Sequence, residues 1–253
     1  MKKIIAIILL VFMQSSLAMN SRNITILAEP NMVLALTKIA RLYSQQSNVI
    51  TTLNFASSAN LIEEIDSGEP ADIFISAHTS SIDTLRQKGL VDVYNIGYIA
   101  RDEIIVATSK DNPSLPAALL NKNLSFVEVM QSLNQNRSTL VLDDEASALG
   151  KFSLDIVLPI ASHELNLIIR DNDDKSSILN IAKSNPQYYA ILLKSHIVKD
   201  RDLQILTTKK DSNIFYQALV IAGDNMEVAR EFLKFLKGSK AREILLDCGF
   251  TVE

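Results

Sequence analysis

The chain has 253 residues, 47% of them hydrophobic and 21% charged, with a formal net charge of −4. That composition belongs to a folded globular protein and excludes a disordered or fibrous one. The acidic balance argues against a general nucleic-acid binder, and a single cysteine, Cys248, excludes an intrachain disulfide, which a core of this size does not need.

Residues 1–18 read as an export signal. Lys2 and Lys3 precede an apolar run from Ile4 to Phe12, and Ser16-Leu17-Ala18 offers small residues where a signal peptidase cuts. The run is about half the length of a bilayer-spanning helix, and no later stretch reaches the roughly 18 apolar residues of such a span. The mature chain is expected to be periplasmic, with no stable membrane insertion. Loss of Lys2 and Lys3 leaves 23 basic against 29 acidic side chains, a net −6.

From there a β-rich apolar run followed by a helical pattern recurs. Ile24 to Ala28 reads as a strand, and Leu34, Leu36, Ile39, Ala40 and Tyr43 follow at helical spacing, with Pro30 suited to a first helical turn. Ile50 to Phe55 is the next strand, and Ser57-Ser58 stand where a hydroxyl caps a helix carrying Leu61, Ile62 and Ile65. Asp72 to Ser76 is a buried strand, a helix ends at Gly89, and Glu103 to Thr108 is another strand. The scheme repeats with strand Thr139–Leu142, a helix after Ser147, strand Leu165–Ile169, a helix after Asp174 and strand Tyr188–Leu193. Runs at Leu203–Leu206 and Ile214–Ala222 precede helices over 225–237 and 239–247. The alternation predicts α/β architecture with mainly parallel sheets flanked by helices.

Much chemistry is absent. The seven glycines form no G-x-G-x-x-G, G-x-S-x-G or P-loop. His78, His163 and His196 are far apart and form no zinc motif, so they are read as turn or strand-end residues. The run from Asp171 to Asp174 fails as a calcium loop because Lys175 and Ser176 follow. Asp143, Asp144 and Glu145 are an acidic cluster that acid–base catalysis could use, but a turn accounts for them. In open parallel sheets ligands meet the carboxyl ends of strands, where helix N-termini point free N–H groups and positive dipole ends. Four turns fit: Glu29 to Met32, Ala56 to Asn60, Asp143 to Gly150 and Asp171 to Ser177. Converging, they would favour an anion in spite of the net −6 charge.

Those turns carry a family resemblance. ITILA before a helix, NFASSANLIEEIDSGEPADIFISA (Asn54 to Ala77), VLDDEASALGKFS (Val141 to Ser153) and FLKGSKAREILLDCGFTV (Phe235 to Val252) together resemble the periplasmic molybdate-binding proteins of ABC transporters over nearly the whole mature chain. The resemblance implies a two-lobed (type II, Venus-flytrap) solute-binding fold. Lobe I would comprise residues 19–102 plus 213–253, and lobe II residues 103–212. It implies a non-enzymatic monomer without metal or cofactor, which binds molybdate or tungstate through hydroxyls and N–H groups and delivers it to an inner-membrane ABC permease. Position by position, the family's ligand-binding residues fall on Ser58, Leu149, Asn31 and Lys175. The family's tyrosine falls on Leu193, and Glu29 stands where the family has alanine, so that it must point away, be paired by Lys175 or Lys194, or signal another ligand. A different oxyanion, a phosphonate, a zwitterion, or a sensory role without transport are the open alternatives.

Overall fold

A computed structural model describes residues 22–252 except 121–122, 146, 162 and 171–176, and leaves out the side chains of 210–213. The signal read at residues 1–18 and the candidate ligand Lys175 lie outside the described residues.

β1 (Arg22–Ala28) becomes continuously buried over Ile26, Leu27 and Ala28, and pairs in parallel with β2 (Val49–Phe55) on one side and β3 (Ile73–Ser76) on the other. Parallel neighbours need a crossover. It is supplied by α1 (Val33–Ser47), which buries Ala35, Leu36, Ile39, Ala40 and Tyr43 at helical spacing, and then by α2 (Ser58–Asp66). α3 (Thr79–Gln87) leads into β4 (Val91–Ser109). After α4 (Phe126–Gln135), a second parallel set follows: β5 (Thr139–Leu142), α5 (Ala148–Val157), β6 (Asn166–Ile169), α6 (Ile178–Ser184) and β7 (Tyr189–Leu193), with β5 between β6 and β7. α7 (Lys194–Ile197) turns the chain into β8 (Leu203–Ile221), and α8 (Met226–Leu236) and α9 (Ser239–Asp247) pack back against α1.

The expected α/β architecture with two parallel strand sets is present, but the sets belong to one sheet of order β2-β1-β3-β8-β4-β7-β5-β6. β4 and β8 run antiparallel through its centre and join the sets, β8 pairing with β3 and β4 with β7. The sequence reading divides β8 in two and starts β4 only at Glu103. Polar residues around Arg101–Glu103 and Thr207–Asn213 interrupt the apolar pattern there, yet backbone pairing continues from Asp102↔Ile214 to Ile104↔Lys209 across a register shift. α4 is absent from that reading although Ser125 and Glu128 form a capping box at its start.

The apolar faces expected of the terminal helices are buried at Val228, Phe232, Leu236 and Leu245. Phe232 meets Tyr43 edge-on at 5.0 Å, and Cys248 is buried at the end of α9.

Asp102 sits in β4 where the two sets meet. Its Oδ1 accepts from the N–H groups of Glu103 (2.8 Å) and Ser195 (3.3 Å), while Oδ2 is buried with no partner among the described residues. Burial pushes this carboxyl up to about 6. An unfolded aspartate titrates near 3.9, so the native chain holds an extra proton between roughly pH 4 and 6. Stability therefore falls as pH rises through that window, and the penalty, on the order of 3 kcal/mol, is complete above it. Asp102→Asn should be more stable than the parent at pH 7.5 by about 1–3 kcal/mol, with the gain vanishing below pH 4. Urea denaturation across pH checks both ends.

Candidate functional site

The turns after β1, β2 and β5, the residue after β6 and the start of α6 line one cavity of about 500 Å³. Three of the helices that enter it, α2, α5 and α6, are each capped by the serine that precedes them. Ser57 accepts from Asn60 N–H (3.3 Å), Ser147 from Gly150 N–H (2.9 Å) and Ser177 from Asn180 N–H (3.2 Å). Those caps satisfy the third N–H of each helix and leave earlier ones facing the cavity. Asn31, Ser58 and Leu149 all line it, so three of the four candidate ligand-binding residues are brought together from two ends of the sheet. The Leu149 N–H has no acceptor among the described residues.

Glu29 lies in this cavity, 5% exposed. Its Oε1 accepts from Ser58 Oγ (2.6 Å), Ser76 Oγ (2.7 Å) and Ala77 N–H (3.1 Å). Of the three fates open to Glu29, turning away is thus excluded. Lys194 is not its partner either, because its Nζ is 2.6 Å from Glu103. Pairing with Lys175 lies outside the described residues, among which neutral donors hold the carboxylate, and they include the hydroxyl expected to serve the ligand. Asn31 differs in a similar way. Its amide, read as an extra donor to an anion, donates to Tyr216 Oη at 2.6 Å and lies 3.4 Å from Ser195 Oγ, which leaves its backbone N–H for the cavity. Burial raises the Tyr216 phenol well above its ordinary value, so that hydroxyl stays neutral.

On the other side Asp143 accepts from Arg170 Nε and from Ser147 Oγ (2.8 Å), both members of the ion pair being nearly buried at 12% and 14% side-chain exposure. The acidic cluster is therefore a turn held by an arginine and a serine, not a pair of carboxylates facing each other. Among the described residues no three His, Cys, Asp or Glu side chains gather to hold a metal, and no helix is long and apolar enough to cross a membrane.

Sequence reasoning misses Ser76, Arg170 and His196. Ser76 ends β3 within the segment Asn54–Ala77 but is given no role by the resemblance, and Arg170 follows β6 outside any motif. His196 lies in α7, one turn beyond Leu193, and both line the cavity. The Leu193 N–H donates to His196 Nδ1 at 3.3 Å, which leaves the ring proton on Nε2. Burial lowers this imidazole to about 4, so it is neutral at physiological pH and is a donor without charge. Its position directly after a strand end was the signal available.

A sequence profile of bacterial extracellular solute-binding proteins matches residues 24–251. The chain is 25% identical to the molybdate-binding protein ModA of Escherichia coli over 236 residues, covering 91% of this chain and 89% of that protein. Among solved structures it is similar to the periplasmic molybdate-binding protein of Azotobacter vinelandii, with a TM-score of 0.66, 15% identity, and 91% of this chain and 99% of that one covered. The tungstate ABC transporter protein of Geobacter sulfurreducens superimposes with a TM-score of 0.70 and 13% identity, covering 90% of this chain and 100% of that one.

Proposed function

Because the chain belongs to the bacterial extracellular solute-binding proteins, we propose that it captures a tetrahedral oxyanion, molybdate or tungstate, in the cavity described above and delivers it to an inner-membrane ABC permease. Residues 19–102 with 213–253 form one lobe and 103–212 the other, and they close on the ligand as a periplasmic monomer that performs no chemistry on it. The observation that carries this reading is the convergence of Ser58 Oγ, Ser76 Oγ and Ala77 N–H on one carboxylate oxygen. Such a set of uncharged donors recognises an oxyanion oxygen and spares the desolvation of a buried counter-charge. An arriving ligand takes the place of Glu29 Oε1, and the N–H groups of Asn31, Ser58 and Leu149 bind its other oxygens. The names of similar proteins that bind molybdate or tungstate supply the ligand class. Calorimetric titration of the purified chain with molybdate, tungstate, sulfate and phosphate tests it. Saturable heat with the first two is expected, and no heat with any of the four overturns it.

His196 completes the donor set where Leu193 supplies none. A hydrogen bond to a charged group contributes roughly 1.5–3 kcal/mol. His196→Ala should therefore weaken molybdate binding by about 10-fold to 150-fold, while the parent's affinity shows no imidazole-type change between pH 5.5 and 8 because the ring is already neutral there. Titrations at several pH values read both effects.

A further inference from the structure

A second cavity, of about 460 Å³, lies beside the paired strands β4 and β8, lined by Tyr98, Arg101, Phe215, Lys237, Arg242 and Thr251 among others. Three of these are cations, and among the described residues no acidic side chain lines it. None of the three makes an ion pair among the described residues, in a chain whose acidic side chains outnumber its basic ones by 29 to 25. Arg101 Nε is buried and has no hydrogen-bond acceptor among the described residues. A buried donor left unmet calls for an explanation, because nearly all such groups in folded proteins are paired.

The surroundings hold these groups in place. Arg101 exchanges two backbone hydrogen bonds with Thr251 (2.7 and 2.8 Å) and pairs across the ladder with Phe215. A Cβ at Gly97 would lie 3.0 Å from Lys237 Cδ, so the glycine leaves room for the lysine stem beside the strand. Tyr98 and Phe215 meet edge-on at 6.1 Å and supply an aromatic wall. Successive strand residues face opposite sides of a sheet. Tyr216 reaches Asn31 in the first cavity, so its neighbour Phe215 places this one on the reverse face of the same strands.

The geometry points to a second binding site here for a small organic anion, an aromatic or similarly flat apolar body carrying a carboxylate or phosphate. The volume is that of a small-molecule site. The guanidinium of Arg101 offers the planar fork that matches a carboxylate or phosphate. Lys237 and Arg242, both exposed, complete a positive rim, and the ring of the ligand stacks on the aromatic wall. The site is separate from the oxyanion cavity and does not depend on what that cavity holds.

Phenyl phosphate and phenol are the probes, titrated calorimetrically into the full mature chain. Phenyl phosphate should bind saturably and at least 10-fold more tightly than phenol. Its affinity should fall at least 10-fold in Arg101→Gln and in Lys237→Gln/Arg242→Gln, and stay within 2-fold in Ser58→Ala, which alters only the other cavity. The lysine–arginine pair variant keeps the test decisive if Arg101→Gln fails to fold, since both of its side chains are exposed. Absence of saturable binding, equal affinity for phenol, indifference to the Lys237/Arg242 changes, or loss of binding in Ser58→Ala would each overturn the proposal.

Discussion

Glu29→Ala should bind molybdate at least 100-fold more tightly than the parent chain. A ligand oxygen that accepts from Ser58 Oγ at ordinary hydrogen-bond distance lies within about 4–5 Å of Glu29 Oε1, because that hydroxyl is itself 2.6 Å from the carboxylate. A unit charge and a dianion about 4 Å apart repel by on the order of 8 kcal/mol at an effective dielectric near 20. The carboxylate must therefore withdraw before the oxyanion enters, and the parent's affinity carries the cost of freeing it from three donors. Rotation of the side chain relieves most of the repulsion. A residual of about 2.7 kcal/mol is enough for 100-fold. The variant should also melt earlier without ligand, since Ser58, Ser76 and Ala77 lose their acceptor at roughly 1–3 kcal/mol, and should gain more from added molybdate than the parent does. Calorimetry and thermal melts with and without ligand measure these together. Unchanged affinity would place the carboxylate outside the ligand's reach. Weaker binding would make Glu29 the partner of a proton or amine on the ligand, which favours a phosphonate or zwitterion over a dianion.

Gly150→Ala should cost at least 3 kcal/mol of stability and abolish oxyanion binding. The glycine is the third residue of α5, and its N–H donates to the cap Ser147. A Cβ there would lie 1.8 Å from the carbonyl oxygen of Asp144, a backbone atom that no rotamer change can move aside. The turn from Asp143 to Ser147 must then open, and with it the Asp143–Arg170 ion pair and the position of the Leu149 N–H. Breaking a buried pair is destabilising by about 3–5 kcal/mol when one partner is left behind. Denaturant unfolding and titration with molybdate read the two losses, and a variant of parental stability would show that the turn relaxes freely. Nothing in the glycine's own dihedral angles demands this residue. Close approach of the Asp144 carbonyl in the turn does.

The elements best legible in the sequence are those whose information is local. Thr139–Leu142 matches β5 residue for residue, Ser57 caps α2 as its place before Leu61, Ile62 and Ile65 suggests, and the helix expected after Ser147 begins at Ala148. α4 is signalled locally as well, by the capping box of Ser125 and Glu128. The unity of β4 and of β8 is not. Their middles are polar, and pairing with each other, not hydrophobicity, keeps them extended. In the site, the turns and three of their candidate residues could be placed from sequence, whereas the direction of Glu29 depends on Ser76 and Ala77, 47 and 48 residues away. The Asn31 amide meets Tyr216, 185 residues on. Such contacts leave no periodicity in the chain, and a family pattern that has alanine at position 29 cannot announce them.

The strand order also sets a timetable for folding. β3 finds its outer neighbour only in β8, with Ile73 beside Val220, and β4 likewise spans the ladder from Val91↔Ile221 to Ser109↔Leu203. A chain emerging from its N-terminus presents β3 and β4 as open edges until nearly all of it has been made. Pairing across such separations must close long loops before any contact rewards it, which places this topology among slow folders. The first 200 residues can collapse, but they cannot complete a sheet. A chain that stays incomplete for so long remains threadable, and also exposed to self-association, for the whole of its synthesis.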